Sequence, residues 1–186
     1  MELFPTLELG WLNGWIFTAF FYSIFGILLK ILPKEVVARL YDEKGWTKLQ
    51  KVSAKISKIF GILIIILMTF TPLKLESLEF IIGVIIFSIG TIGFIAAILN
   101  FANAPLDKPI TSGLYKISRN PQMVMLYFVG IGSSIVIGSY IAIVLATIGQ
   151  FLSHFRILGE EKRLSEQYGD PYKDYKKKVP RYFLYF

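Results

Sequence analysis

The sequence predicts an all-α integral membrane protein. It should have five transmembrane helices, an external N-terminus, a cytoplasmic C-terminus and a cytoplasmic helical extension after the last span. Three observations carry this. Hydrophobic residues make up 54% of the 186 and the mean hydropathy is +0.58, too apolar for a soluble domain of this size. Several long runs are almost free of charge. The basic residues fall on alternate connections between those runs.

The first run, 11–32, follows an acidic start, MELFPTLELG, that lacks the basic region of a cleavable signal. It is read as a retained span. The second run is 59–73 and the third 78–101. The fourth, 121–137, and the fifth, 140–155, are joined by the tight Gly138-Ser139 turn. Both are short for a hydrocarbon core of roughly 30 Å at about 1.5 Å per residue. The fifth should continue as a helix beyond the bilayer.

Charge sets the orientation. Segments 33–58, 102–120 and 156–186 hold eighteen of the twenty Lys and Arg residues. Lys74 stands alone on the opposite side, and Lys30 can snorkel back to the basic face. The net charge of +7 would suggest nucleic acid in a soluble protein. Here the charges abut apolar runs, so membrane lipids with anionic headgroups are the expected partner, not nucleic acid. Residues 1–186 form a single membrane domain. Within it, 33–58 has apolar residues at a spacing of three to four and reads as one or two amphipathic helices on the cytoplasmic surface.

Chemistry concentrates in two polar islands flanking the last hairpin. One is GLYKISRNPQ, 113–122; the other is EEKRLSEQYGDPYKDY, 160–175. The hairpin returns both to one membrane face. Asn120-Pro121 reads as a helix start, with asparagine as cap and proline at the first position. The N–H groups from Gln122 onward then favour an anion. Arg119 adds a fork suited to a carboxylate or phosphate, or it is simply a positive-inside anchor. Glu160 and Glu161 point about 100° apart on a helix. One can face the core while the other faces water or a basic partner, and a salt bridge from Glu160 to Arg156, four residues away, is the competing explanation. Together these groups suit a small zwitterion. His154 is either a satisfied interfacial histidine or a catalyst. Tyr168, Tyr172 and Tyr175 share a helical face and either anchor the interface or wall a pocket. Gly169-Asp170-Pro171 reads as a helix end and a new cap. With no cysteine and one histidine, thiolate and multi-histidine metal sites are excluded. No phosphate-binding glycine fingerprint or nucleophile elbow occurs.

The ordered set of motifs resembles the integral membrane methyltransferases that include isoprenylcysteine carboxyl methyltransferase and the phospholipid methyltransferases. The matching residues are Gly113-Leu114-Tyr115, Arg119-Asn120-Pro121, the hairpin, Glu160-Glu161 with Leu164, Tyr168-Gly169, Tyr172 to Tyr175, and Val179-Pro180-Arg181. Asn120 stands where the family has histidine, and Met123 where it has tyrosine. The resemblance implies S-adenosyl-L-methionine bound by residues 113–186. Its ammonium would pair with Glu160 or Glu161, and its carboxylate with Arg119 and the helix start at Asn120, Pro121 and Gln122. Tyr115 and Tyr172 would wall the adenine. Arg119, Glu161 and His154 are the catalytic candidates, the last two as bases for an amine acceptor. The acceptor would be a lipid or lipidated amphiphile entering sideways between helices. An NADPH-dependent membrane reductase and a non-catalytic scaffold are the competing functions.

Overall fold

The computed structural model describes residues 1–105 and 107–183. Among them are seven α-helices and no strand. They are α1 Trp15–Ile31, α2 Lys34–Leu40, α3 Lys48–Phe70, α4 Leu78–Ala102, α5 Pro121–Val136, α6 Tyr140–Tyr168 and α7 Asp170–Lys178, with a single 3-10 turn at Gly113–Lys116. Three helices are long and apolar enough to cross a membrane: α3, α4 and α6, of 23, 25 and 29 residues. The apolar helices α1 and α5 are shorter, at 17 and 16 residues.

Local chemistry explains the boundaries. Thr47 and Gln50 form a reciprocal capping box at the start of α3. Ser77 caps α4 and Ser139 caps α6, each accepting a backbone N–H. Leu32, held extended before Pro33, ends α1. Gly138 turns the α5–α6 hairpin at φ +63°.

Two expectations shift. Residues 11–14 lie outside α1. Asn13, 1% exposed, donates to the Glu8 and Thr69 carbonyls, so the segment laces onto the end of α3 instead of extending α1. The second half of the basic segment is no separate surface helix: α3 starts at Lys48 and runs unbroken into its apolar part. The expected continuation of the fifth run is present: α6 runs on as one helix to Tyr168.

Two helix pairs dominate the packing, α4 with α5 and α3 with α6. α4 and α5 touch backbone to backbone. A Cβ at Gly90 would meet the Val129 amide nitrogen at 2.6 Å, and one at Gly132 would strike the backbone of Phe87. α1 packs on this pair through edge-on aromatics, with Phe17 and Phe87 centroids 5.2 Å apart. The outer faces carry exposed isoleucines, such as Ile85, Ile89 and Ile92 on α4. That apolar exterior is what a lipid solvent accepts and water does not.

Candidate functional site

At the basic end of the bundle lies a cavity of about 360 Å³, the scale of a small-molecule site. Its walls come from distant parts of the chain: Arg39 at the end of α2 and Asp42 just after it, Tyr115, then Arg119, Asn120 and Gln122, then Arg156, Glu160 and Arg163, then Tyr172 and Tyr175.

Each wall is held from behind. The amide nitrogen of Leu114 donates to Asn100 Oδ1 at 2.9 Å, which fixes the turn that carries Tyr115. Gly113 adopts φ +58° against that same side chain, so no Cβ fits there. The Tyr175 hydroxyl donates to the Tyr115 carbonyl at 2.6 Å. Arg39 donates to the Phe101 carbonyl at 3.0 Å and stacks 4.1 Å over its ring. Burial raises the phenol pKa values of Tyr115, Tyr172 and Tyr175 well above the ordinary range, so all three stay neutral.

The two adjacent glutamates divide their tasks. Glu161 is 3% exposed. Its oxygens take Arg181 bidentately, at 3.1 and 3.0 Å, and Arg119 at 3.3 Å. The hydrogen bond to Glu161 raises the Arg181 pKa further. Arg181 sits in a tail segment stitched to the start of α5. The Arg119 amide donates to the Pro180 carbonyl at 2.9 Å, and Ser118 Oγ donates to the Arg181 carbonyl at 3.0 Å. Glu160, by contrast, faces the cavity. Arg156 Nε lies 3.2 Å from its carboxylate, but that N–H is not aimed at it. Desolvation raises the Glu160 pKa above the usual carboxylate range, against the pull of Arg156 and Arg163.

The cavity wall also holds buried donors with no hydrogen-bond partner among the described residues: Arg119 Nε, Gln122 Nε2, Arg156 Nε and Arg163 Nε. Orphaned buried donors are costly, and four around one cavity call for a ligand rich in acceptors.

Of the residues singled out in the sequence, Tyr115, Arg119, Asn120, Gln122, Glu160 and Tyr172 line this one cavity. Pro121, Glu161 and His154 do not line the cavity. Pro121 is sealed in as the first residue of α5. Glu161 lies behind Arg119 with both oxygens engaged, so it anchors rather than offering a free base. His154 Nδ1 is 2.8 Å from the Tyr182 hydroxyl. Asn120 occupies the cap position without capping. Its Nδ2 donates toward Glu161 Oε1 at 3.5 Å and the Arg181 carbonyl at 3.4 Å, and in that orientation its Oδ1 accepts no bond from the first turn of α5. Asp170 is likewise no cap; it is the first residue of α7 and pairs with Lys173. Asp42, Arg39 and Arg163 escape sequence reasoning, because each looks like one more surface charge. Asn100 had a signal: it is a lone amide at the end of a long apolar helix.

No match was found among curated proteins or among solved structures. A family model for the phospholipid methyltransferases matches residues 56–171, more than half of the chain, covering the hairpin and most of the cavity wall. The chain belongs to the phospholipid methyltransferase family.

Proposed function

We propose that this protein transfers a methyl group from S-adenosyl-L-methionine to a lipid acceptor at the cytoplasmic membrane face. In this reading α1, α3, α4, α5 and α6 all span, with the N-terminus outside and the basic end in the cytoplasm. The observation that carries it is one cavity lined by Glu160, by buried donors without hydrogen-bond partners and by tyrosines. A zwitterionic amino acid joined to a purine has the complementary groups. Glu160 would hold the ammonium. Arg119 Nε and Gln122 Nε2 would hold the carboxylate. Tyr115, Tyr172 and Tyr175 would wall the adenine and exclude water. When bound, the cofactor supplies an electrophilic methyl group on a sulfonium. The protein's own contribution is position: Glu161 fixes Arg119, and Asn100 fixes the Tyr115 turn, so the acceptor is met in line.

Calorimetry with S-adenosylhomocysteine tests this. Glu160→Gln and Gln122→Leu should each weaken binding roughly tenfold or more, the size of a lost charge-assisted contact. Stabilisation of the fold by NADPH, with none from S-adenosylhomocysteine, would refute the reading.

A further inference from the structure

At the end of the bundle remote from the cofactor cavity, residues 2–13 lie outside the helices yet are tied down along their length. The Glu2 amide donates to the Gly138 carbonyl at 2.7 Å, and the Glu2 and Leu3 carbonyls accept from the amides of Tyr140 and Ile141 at 2.9 and 3.3 Å. Further on, the Glu8 amide donates to the Phe70 carbonyl at 2.7 Å, and the Leu12 carbonyl accepts from the Leu73 amide at 2.9 Å. The segment thus crosses from the α5–α6 turn to the end of α3. Held between these points, Leu3, Phe4, Leu7, Leu9, Trp11 and Leu12 turn outward, each 56–89% exposed. Six large apolar side chains fixed side by side in water would be a standing cost, so something apolar covers them.

The helices under this segment are the ones that lack height. α5 has 16 residues, about 24 Å. The apolar stretch of α3 after Lys58 has 12 residues, about 18 Å. Both fall short of a hydrocarbon core of about 30 Å, whereas α4, with 25 residues or about 37 Å, does not. The outward side chains continue the apolar exterior of α3 and α6 just where those short stretches stop. The polar groups agree with a boundary position. Glu2 is neutralised by Lys74 Nζ at 2.6 Å, and the Trp15 indole N–H donates to the Gly10 carbonyl at 3.2 Å. Indole rings settle where membrane meets water. Non-helical backbone facing lipid is excluded from the hydrocarbon core, which leaves the boundary itself.

We infer that residues 3–12 form an interfacial collar. It lies in the membrane plane at the end away from the basic face, and its six apolar side chains enter lipid to about 5–10 Å at the headgroup–acyl boundary. Lipid is the partner that covers them. The collar supplies apolar height over α3 and α5, so the leaflet meets that flank with less thinning. None of this depends on which reaction the cofactor cavity serves.

Trp11 and engineered cysteines provide the test, since the chain has three tryptophans and no cysteine. In phosphatidylcholine vesicles, protein carrying Trp15→Phe and Trp46→Phe reports from Trp11 alone. Its emission should be blue-shifted, protected from acrylamide, and quenched more by lipids brominated high on the acyl chain than by lipids brominated near its end. Spin labels on Leu7→Cys and on Leu9→Cys, with all tryptophans kept, should collide with oxygen in preference to a nickel chelate. A label on the exposed Glu76→Cys, between α3 and α4, should show the opposite preference. Acrylamide-accessible Trp11 that brominated lipids do not quench, or nickel-favoured labels at both leucine sites, would place the segment in water and overturn the collar. Quenching strongest near the chain ends would overturn the boundary position. Labels shielded from both reagents, with spin–spin broadening that fades as the protein is diluted in lipid, would make a second copy the occupant and overturn the lipid assignment. Loss of S-adenosylhomocysteine binding in the wild type would sink the methyltransferase reading and leave the collar standing.

Discussion

Glu161→Ala separates an anchor from a catalyst. The carboxylate is 4% exposed and neutralises two arginines, Arg119 at 8% exposure and Arg181 at 23%. Removing it leaves one guanidinium buried and another partly buried without their counter-ion. Breaking a buried ion pair from one side costs about 3–5 kcal/mol. Arg181→Ala should cost less, about 2–3 kcal/mol, because it is partly exposed and leaves Glu161 still paired with Arg119. The double variant should fall well short of the sum, since the two groups share their bonds. Unfolding in detergent by denaturant titration reads all three. Cofactor affinity should fall in parallel, because Arg119 loses its support. If Glu161→Ala unfolds within about 1 kcal/mol of wild type yet loses all methyl transfer, Glu161 works in the chemistry and the anchor argument is wrong.

Further outcomes follow from the same geometry. Gly113→Ala, forced against Asn100 at a positive φ, should destabilise the turn by about 1–3 kcal/mol and lower S-adenosylhomocysteine affinity; calorimetry and thermal denaturation check both. The raised Glu160 pKa means its charge is present above that value and lost below it, so cofactor affinity should decline on acidification above the ordinary carboxylate range. Glu160→Gln should flatten the profile. Asn120→Ala removes only two long contacts and should cost less than about 1 kcal/mol. Asn120→Asp sets a second carboxylate beside Glu161 and should cost up to about 4 kcal/mol; chemical denaturation ranks them. Tags at Met1 and Phe186 should show opposite accessibility in sealed vesicles, and equal accessibility would rule out five spans.

Much of this was legible because it depends on short-range pattern. Apolar runs and the Gly138-Ser139 turn are local, and they marked α1, α4 and α5 within a few residues, whereas the polar first half of α3, from Lys48, carries no such run. The two islands were legible as a site because a hairpin must return its ends to one face. The division between Glu160 and Glu161 was legible only halfway. Helical geometry says they diverge, but which one turns inward depends on Arg181, twenty residues later, arriving beside α5. Asn120 misled for the same reason. Its cap signature is local, but its amide nitrogen is turned toward a buried carboxylate on another helix and its oxygen makes no cap bond. Arg39 and Asp42 left no trace, since nothing nearby distinguishes a charge that folds into a cavity from one that meets water.

The tail stitched to α5 sets an order of events in biosynthesis. The long apolar helices α3, α4 and α6 can each enter a membrane as they emerge, each satisfying its own backbone. The Arg119 guanidinium then waits with only part of its support until Pro180 and Arg181 have left the ribosome and closed over it. On the proposed reading, the support behind the cofactor wall is complete only once Pro180 and Arg181 have been made. On the proposed reading, a chain clipped just past α6 would keep its apolar helices but lack the tail that supports Arg119, and should bind cofactor poorly.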